Sequence, residues 1–369
     1  MRILLLSAYA AKSHRHWKDM LCGLFPHWQW QTLELPPRHF SWRIRGNPLY
    51  WSVHEREILE ADYDVVLATS MVDLATLRGL VPSLASVRTL LYFHENQFAY
   101  PQGSNNASVV EPQMVSLYSA LAADELFFNS QFNQDSFLMG CAQLLKKLPD
   151  YVPPGIVESL LAKSNVLPVP VSNPCAETKK RVWPGMPRDK QRRTLRLAWL
   201  GRFEYDKGPD RLLGVLSVLE EMQLDYELAV VGQQFRSLPA AFEVIARDYV
   251  HRLVYMGYIE GEESFLGFLS EVDIALSTAL HEFQGLALIQ AAAAGAVPVV
   301  PARQVYPEVF PASFLYSSNL EDCSLEASSA AEKIVSLSAG IHSGDIVAPD
   351  MSRFLPAHMA SVYSSHLQR

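Results

Sequence analysis

The chain has 369 residues, of which 49% are hydrophobic and 19% are charged, and its formal net charge is −8. The length favours two domains over one, and the acidic balance argues against wholesale coating of nucleic acid while permitting a local basic patch. The four cysteines lack the close spacing of a zinc site, which favours free thiols in a reducing cytosol.

The first half of the chain predicts a parallel sheet whose strands are separated by helices. Short apolar runs bounded by turn residues predict strands at 2–7, 30–35, 64–69, 88–94, 125–130 and 165–171, and helical spacing predicts helices at 74–80 and 114–122. Continuous apolar strands that alternate with helices are typical of a sheet buried on both faces. The first apolar run is too short for a secretion signal, and no run reaches the length of a membrane span.

The pattern stops at 173–194, a stretch rich in proline and basic residues that we interpret as a linker. Strands are predicted again at 195–201, 226–232, 252–257, 272–277, 297–301 and 313–316, with helices at 210–222 and 262–269. The sequence therefore predicts two tandem doubly wound α/β domains, 1–172 and 195–369, and the last helix is a candidate to pack back on the first domain. Ligands of such sheets bind beyond the carboxyl ends of the strands, so we expect the active site in a cleft between the domains.

Two cations follow the predicted strand at 195–201. Arg202 and Lys207 flank a turn, and a helix is predicted to begin near Pro209. An arginine fork, a lysine point charge and a helix N-terminus together suit a phosphate group. A solvated turn with surface cations is the alternative, and these residues alone leave both open.

Polar residues also close two other predicted strands. His94, Glu95, Asn96 and Gln97 end the strand at 88–94, and such a cluster indicates a site that hydrogen-bonds a sugar or phosphate. Metal ligation is disfavoured because no second histidine or carboxylate stands at a helical offset. Gly232 ends the strand at 226–232 and indicates a tight turn or, less strongly, a close approach of backbone to a nucleotide.

The stretch HEFQGLALIQAAAAGAVPVVP, residues 281–301, combines a carboxylate with a predicted helix that begins at Leu286. Glu282 could accept hydrogen bonds from sugar hydroxyls, and the helix N-terminus could stabilise a diphosphate. Gln290 lies about two turns further along. From the pattern alone, a buried amide that the backbone satisfies is the favoured interpretation of Gln290. The remaining donor-binding candidates of this stretch are Phe283, Gln284, Gly285 and Leu286.

Basic and aromatic residues interleave in the first half of the chain. We predict that they sit among turns at 13–18 and 38–51 and bind single-stranded RNA, where arginines hold phosphates and aromatic rings stack on unpaired bases. The linker adds further basic residues, although charged linkers are usually only solvated. The candidate acceptor-binding residues are Ser13, His14, Arg15, Arg38, Phe40, Trp42, Arg43, Arg45, Glu95, Asn96 and Gln97.

Several of these motifs resemble those of known glycosyltransferase families. The segments GRFEYDKG, VVGQ and MGYIEGEESFLGFLSEVDIALSTALHEFQGLALIQAAAAGAVPVV resemble the donor half of the retaining family 4 glycosyltransferases, which have the two-Rossmann-domain GT-B fold. The segments LLLSAYAAKSHRHW, LPPRHFSWRIRGNPLYW, ATSMVDLATLRGLVP and LLYFHENQFAYP resemble the tRNA-queuosine α-mannosyltransferases. The likeness covers essentially the whole chain and is weakest at the linker and over the last sixty or so residues.

The resemblance implies transfer of mannose from GDP-mannose to the cyclopentene-diol of queuosine in a tRNA anticodon, with retention of configuration. It implies that Arg202 and Lys207 hold the diphosphate and that His94 and Glu282 are the catalytic residues that contact the donor sugar. A second glutamate that grips the nucleotide ribose in the family is replaced here by Gln290. The resemblance therefore reverses the interpretation from the pattern alone and implies that Gln290 faces the donor ribose. The resemblance also suggests same-face attack, in which the leaving phosphate accepts the proton of the acceptor hydroxyl.

We therefore expect a cytoplasmic hexosyltransferase that needs no metal or other cofactor, no membrane and no obligate protein partner. Three alternatives stay open at this point. The acceptor could be a lipid or polysaccharide, the donor could carry galactose or UDP, and the chain could be a catalytically weak RNA- or nucleotide-sugar-binding protein. The lipid alternative ranks second because we find no amphipathic basic helix in the N-terminal half.

Overall fold

The computed structural model describes residues 1–100, 110–173, 182–187, 194–235 and 237–368. The strands in these ranges are β1 Arg2–Ser7, β2 Gln29–Glu34, β3 Val65–Thr69, β4 Arg88–Phe93, β5 Glu125–Phe128, β6 Ser164–Val166, β7 Leu195–Leu200, β8 Tyr226–Val231, β9 Leu253–Gly257, β10 Ile274–Leu276, β11 Val297–Pro301 and β12 Leu315–Tyr316. Their ends lie within two residues of the predicted ones, except that the strand predicted at 165–171 already ends at Val166.

The α-helices lie between these strands and after the last one. They are α1 Lys12–Leu24, α2 Phe40–His54, α3 Arg56–Leu59, α4 Leu74–Leu80, α5 Val110–Ala122, α6 Gln131–Leu145, α7 Ile156–Ala162, α8 Pro209–Glu221, α9 Ala240–Asp248, α10 Glu262–Leu269, α11 Leu286–Ala293, α12 Tyr306–Val309, α13 Cys323–Ser343 and α14 Pro356–Leu367. The chain thus alternates strand and helix through most of its length, as the sequence predicted.

The chain divides into two units. Unit 1 contains Met1–Pro170 and returns with Pro356–Arg369, and unit 2 contains Val171–Leu355. The division falls two residues before the predicted end of the first domain, and α14 belongs to unit 1. Most of the predicted linker, with its basic residues Lys179, Lys180, Arg181, Arg188, Lys190, Arg192 and Arg193, lies outside the described residues.

Unit 1 is a six-stranded parallel sheet in the order β2-β1-β3-β4-β5-β6. The chain reverses its direction of winding between β1 and β3, and such a switch point opens a crevice at the carboxyl ends of the two strands. One face of the sheet packs on the helices that contain Ile44, Leu77 and Phe137. On the other face, Trp17 of α1 contacts Tyr92 at 4.4 Å and donates a 2.9 Å hydrogen bond to Tyr363 of α14. Both faces are therefore buried, as expected of a parallel sheet.

Unit 2 is a second six-stranded sheet, in the order β12-β11-β10-β7-β8-β9, with parallel pairing throughout. Its switch point lies between β7 and β10 because the chain winds outward from β7 in both directions. The fold confirms the predicted pair of doubly wound domains. It also places the loop that holds Arg202 and Lys207 and the loop that holds Glu282 at the same crevice.

The prediction of turns at 13–18 and 38–51 was wrong, because α1 and α2 occupy these stretches. In α2, Gly46 and Pro48 are residues that usually interrupt a helix, so the sequence does not predict one there. Pro48 has no N–H for the carbonyl of Ile44, four residues earlier, and the side-chain amide of Asn47 donates to that carbonyl at 3.2 Å instead. The helix therefore continues through a proline that sequence reasoning takes as a break.

The described part of the linker, residues 182–187, packs against unit 2. The indole of Trp183 is almost fully buried, stacks on Phe268 at 5.5 Å and donates to the Glu227 carboxylate. The backbone N–H of Met186 also donates to Glu227, at 3.0 Å. The tryptophan in an otherwise basic stretch was the available signal that part of the linker is anchored.

Gly232 occupies a position that admits no side chain. A Cβ there would overlap the carbonyl oxygen of Gly201, while the Gly232 N–H donates to Gly257 at 2.9 Å. The loops after β7 and β8 therefore approach each other backbone to backbone at the crevice.

We expect Gly232→Ala to lower the melting temperature of the protein substantially, because the new methyl group must displace the Gly201 backbone; the cost is on the order of 2 kcal/mol or more. Thermal unfolding followed by circular dichroism measures it. Gly23→Ala is the control, since Gly23 lies in α1 with nothing within 4 Å of its Cβ position. That substitution should be neutral or stabilising. Equal melting temperatures for Gly232→Ala and Gly23→Ala would contradict the steric account.

Candidate functional site

The loop after β7 is shaped so that Lys207 points back toward the loop after β10. Gly208 has a φ of +66°, and a Cβ there would overlap the carbonyl oxygen of Thr278. The Thr278 hydroxyl donates to the carbonyls of Lys207 and Gly208 at 3.0 and 2.9 Å and accepts from the Trp199 indole at 2.8 Å. This clamp fixes the backbone beneath Lys207, and α8 begins directly after it.

The Lys207 ammonium is nearly buried and has three oxygen partners. Its Nζ lies 3.1 Å from Glu282 Oε2, 3.1 Å from Asp206 Oδ2 and 2.9 Å from the carbonyl oxygen of His281. Burial favours the neutral amine, but the carboxylates of Glu282 and Asp206 outweigh it and raise the pKa of Lys207. Burial likewise disfavours the Glu282 carboxylate, but Lys207 lowers its pKa. Both groups are therefore charged at neutral pH.

Arg202 lies beside this pair but is itself held by carboxylates. It contacts Glu204 at 2.8 Å and Asp206 at 3.3 Å, and nearly half of its side chain is exposed. The two cations Arg202 and Lys207 thus share the three carboxylates of Glu204, Asp206 and Glu282, so these five groups sum to −1 when all are ionised. Burial raises the pKa of Glu204, although Arg202 opposes the shift. Sequence reasoning identified the cations and missed Glu204 and Asp206.

Gln304 holds the loop that carries Glu282, and sequence reasoning missed it. Its side-chain oxygen accepts from the Glu282 N–H at 2.7 Å, and its amide nitrogen lies 3.1 Å from the Leu280 carbonyl and 3.2 Å from His281 Nδ1. The adjacent Arg303 is buried and bonds to the Ala279 carbonyl at 2.9 Å and to Glu326 at 2.8 Å. Two polar residues that follow β11 at the crevice edge were the available signal.

Residues 283–286 turn the chain from Glu282 into α11. Gly285 has a φ of +77°, which favours glycine, and caps the helix that begins at Leu286. Phe283 and Gln284 are buried, and the Phe283 N–H donates to Glu282 Oε1 at 3.1 Å. Burial, reinforced by Lys207, lowers the pKa of His281 to about 4, so His281 is neutral. The structure thus brings the N-terminus of α11, Glu282 and Lys207 together.

Gln290 lies in α11 with its side chain only 7% exposed. Its Oε1 accepts from the Ser172 N–H at 2.8 Å, and its Nε2 donates to the Ser172 carbonyl at 2.9 Å. The amide thereby satisfies both polar groups of one backbone residue, which is the arrangement of a buried structural amide. A ribose contact by Gln290 stays a prediction and requires sharing or breaking these bonds.

In unit 1, His94 follows β4 and is buried among aromatic rings. It stacks on His14 with centroids 4.1 Å apart, and it lies 4.9 Å from Trp17 and 4.7 Å from Tyr92. Burial, with the neighbouring imidazoles of His14 and His16, lowers the pKa of His94 well below its ordinary value. The ring is therefore neutral at pH 7, and its Nε2 has no hydrogen-bond partner among the described residues.

The three polar residues after His94 diverge in role. Glu95 Oε2 lies 3.3 Å from His14 Nε2. Asn96 is buried, and its side chain stabilises the loop. It donates to Asn133 at 2.8 Å and accepts from the N–H groups of Phe98 and Ala99 at 3.0 Å each. Gln97 Nε2 lies 3.7 Å from the sulfur of Met71. The cluster therefore splits into a polar pair with His14 and a loop clamp.

The predicted acceptor residues of α1 do not share a surface. His14 is buried against His94, whereas Ser13 and Arg15 are exposed. Around the start of α2, Arg38 is exposed, Phe40 packs edge-on against Tyr9 at 6.1 Å, and Trp42 is 56% exposed.

The two arginines of α2 differ. Arg45 pairs with Asp73, which caps α4, and lies 3.5 Å from Glu111. Arg43 is half-buried, and its Nε is a buried atom without a partner among the described residues. Arg43 is therefore the better placed of the two to hold a phosphate.

In the described ranges, no three histidine, cysteine, aspartate or glutamate side chains are grouped as a metal site would require. Those ranges also contain no helix that is both long and apolar enough to cross a membrane.

We expect Gln290→Glu to destabilise the protein by about 1–3 kcal/mol, because a carboxylate cannot donate to the Ser172 carbonyl and would be buried against it. Burial raises the pKa of the introduced carboxyl in the folded state, so the deficit should shrink as the pH falls and the protonated group can donate again. Thermal unfolding between pH 5 and 8 measures both effects.

Gln223→Glu is the matched control, since it makes the same charge change at an exposed position. Unchanged stability of Gln290→Glu together with tighter donor binding would contradict the structural role and support the ribose contact.

Comparisons with known proteins show the family of this chain. Residues 2–171 match the family described as tRNA-queuosine alpha-mannosyltransferase N-terminal, and residues 189–339 match the glycosyl transferases group 1 family. A Drosophila melanogaster protein named tRNA-queuosine alpha-mannosyltransferase is 34% identical over 320 residues, which cover 86% of this chain and 84% of the relative.

Solved structures share the fold at low identity. The Anabaena protein HepE, solved with UDP and glucose, has a TM-score of 0.65 at 12% identity, covering 100% of this chain and 99% of its own. Sucrose-phosphate synthase from Thermosynechococcus elongatus has a TM-score of 0.67 at 13% identity, covering 100% and 98%. The two matched families and the Drosophila relative show that this chain is a hexosyltransferase with the GT-B fold and belongs to the tRNA-queuosine alpha-mannosyltransferase family.

Proposed function

We propose that this enzyme transfers mannose from GDP-mannose to the cyclopentene-diol of queuosine at the wobble position of a tRNA anticodon, with retention at the anomeric carbon. The observation that carries the proposal is the contact of Lys207 with Glu282 at the switch point of unit 2, beside the N-terminus of α11. The name of the Drosophila relative supports the acceptor and the sugar.

Arg202 and Lys207 receive the diphosphate of the donor. Cleavage of the sugar–phosphate bond develops negative charge on that diphosphate, and fixed cations with a helix N-terminus stabilise it in the transition state. Lys207 suits this role because its backbone is clamped by Thr278 and its ammonium is charged. With two cations in place, we propose that no divalent metal is required.

The diphosphate must compete with carboxylates for these cations. Arg202 contacts Glu204 and Asp206, and Lys207 contacts Asp206 and Glu282, so a bound diphosphate displaces at least one of these pairs. Glu204 is the member best suited to yield, since it is partly exposed and burial raises its pKa.

Glu282 positions the sugar and does not act as the nucleophile. Its Oε2 contacts Lys207 and its Oε1 accepts from Phe283, so both oxygens are already engaged and the pKa of the group is lowered. A retaining enzyme with a carboxylate nucleophile needs a carboxylate aimed at the anomeric carbon. Same-face attack, with the leaving phosphate taking the hydroxyl proton, agrees better with the engaged Glu282.

On the acceptor side, we propose that Arg38, Trp42 and Arg43 contact the single-stranded anticodon loop. Trp42 exposes a ring on which a base can stack, and the two arginines can hold phosphates. Arg45 contributes less than the sequence suggested, because Asp73 and Glu111 already neutralise it.

The structure bears on two of the three alternatives, the lipid acceptor and the catalytically weak binding protein. The lipid acceptor ranked second because α1 and α2 were not recognised as helices, so that reason no longer holds. The apolar face of α1, with Trp17 and Leu21, is nevertheless buried within unit 1 and is not available to a membrane surface. A catalytically weak binding protein was an alternative because Gln290 replaces the glutamate of the family, and the contacts of Gln290 with Ser172 give that residue a structural explanation.

The test is incubation of the purified protein with queuosine-containing tRNA and GDP-mannose, UDP-mannose, GDP-glucose or UDP-galactose, followed by mass analysis of the nucleosides. We expect addition of one hexose to queuosine with GDP-mannose, and equal activity in the presence of EDTA. An unmodified tRNA transcript is the control and should stay unchanged. Hexose addition from another donor instead of GDP-mannose would show that the donor assignment is wrong. No addition with any of the donors would refute the proposed function.

A further inference from the structure

Among the buried polar atoms of unit 1 that have no hydrogen-bond partner in the described residues, four belong to residues near the carboxyl ends of β1, β3 and β4: Ser7 Oγ, His14 Nδ1, Thr69 Oγ1 and His94 Nε2. Each of these residues is at most 5% exposed. Buried polar groups are hydrogen-bonded in the great majority of cases, so several orphaned atoms in one region need an explanation.

Ser7, Thr69 and His94 lie on one face of the sheet at its carboxyl edge. Leu6 of β1 pairs with Ala68 of β3, so Ser7 and Thr69 are the next residues along the two strands. Thr69 pairs in turn with Tyr92 of β4, and His94 follows two residues later. Side chains two residues apart on a strand point to the same face, which puts these groups on the side that packs against Trp17.

His14 of α1 joins the cluster through its contact with His94. His14 stacks on His94 at an interplanar angle of 18°, and its Nε2 contacts Glu95, which leaves Nδ1 as the nitrogen without a described partner. β1 and β3 flank the switch point of unit 1, where doubly wound sheets bind ligands. The cluster therefore lies where this fold places a ligand.

The chemistry of the cluster favours neutral hydroxyl groups over an anion. Two hydroxyls and two imidazole nitrogens offer both donors and acceptors, and so do the hydroxyls of a polyol, whereas a phosphate only accepts. The Glu95 carboxylate next to His14 further disfavours an anionic ligand.

We propose that Ser7, His14, Thr69 and His94 form a recognition site for a vicinal diol, with Glu95 as the positioning residue for His14. The inference deepens the proposed function and rests on it for the identity of the diol. Two substrates present such hydroxyls, namely the cyclopentene ring of queuosine and the hexose of the donor, and the experiment distinguishes them.

The test is Thr69→Val, which keeps the shape of the side chain and removes the hydroxyl. Since a buried polar atom without a partner destabilises the free protein, the variant should melt at the same or a higher temperature. Its affinity for the diol-bearing ligand should nevertheless fall by about tenfold, as expected for one lost hydrogen bond. Calorimetric titrations with queuosine nucleoside and with GDP-mannose measure this directly, and the two values of KM follow from the transfer assay.

Thr89→Val is the matched control. Thr89 is buried near the amino end of β4, away from the carboxyl ends of the strands, and its hydroxyl donates to the Val87 carbonyl at 2.9 Å. This variant should melt at a lower temperature and bind both ligands as the wild type does. Ser7→Ala should repeat the behaviour of Thr69→Val.

Weaker binding of queuosine nucleoside by Thr69→Val assigns the site to the acceptor, and weaker binding of GDP-mannose assigns it to the donor sugar. Wild-type affinity for both ligands in Thr69→Val and Ser7→Ala overturns the inference, even if the wild type mannosylates queuosine. Failure of the wild type to modify tRNA refutes the proposed function instead, and the titrations still decide whether a diol site exists.

Discussion

The Lys207 ammonium is the constraint on which the donor-side geometry depends. It joins the loop after β7 to the loop after β10 through Glu282 and the His281 carbonyl, across the switch point of unit 2. A nearly buried ammonium is stable there only because two carboxylates and a carbonyl surround it. Thr278 fixes the backbone of Lys207 and Gln304 fixes that of Glu282, so the ammonium and the carboxylate are held in place without a bound donor.

This preorganisation has a consequence for affinity. Arg202 and Lys207 are paired with Glu204, Asp206 and Glu282 in the structure, so under the proposed function donor binding exchanges one set of ion pairs for another. The net binding free energy is therefore smaller than two unpaired cations would give. The positions of Arg202 and Lys207, however, already suit the negative charge that develops in the transition state.

Sequence periodicity predicted the strands and the tandem domains because buried parallel strands leave an unambiguous apolar pattern. It failed at α2, where the side chain of Asn47 donates to the carbonyl that Pro48 leaves without a backbone partner. This compensating hydrogen bond is visible only in the structure. Residues placed directly after strands, such as Arg202 and His94, were predictable because the topology brings strand ends together. The Ser172 partner of Gln290 was not, because that contact joins segments 118 residues apart. Gln304 follows β11 and could have been found by the same rule, but it was missed.

The central claim is that Arg202 binds the donor diphosphate in competition with Glu204, and calorimetric titration of Glu204→Gln with GDP-mannose tests it most directly. Asp248→Asn is the matched control, since Asp248 pairs with Arg247 at the exposed end of α9, the helix that leads into the amino end of β9. The account predicts severalfold tighter binding by Glu204→Gln, because Arg202 is released from one carboxylate, and wild-type affinity for Asp248→Asn. Unchanged or weaker binding by Glu204→Gln would contradict it.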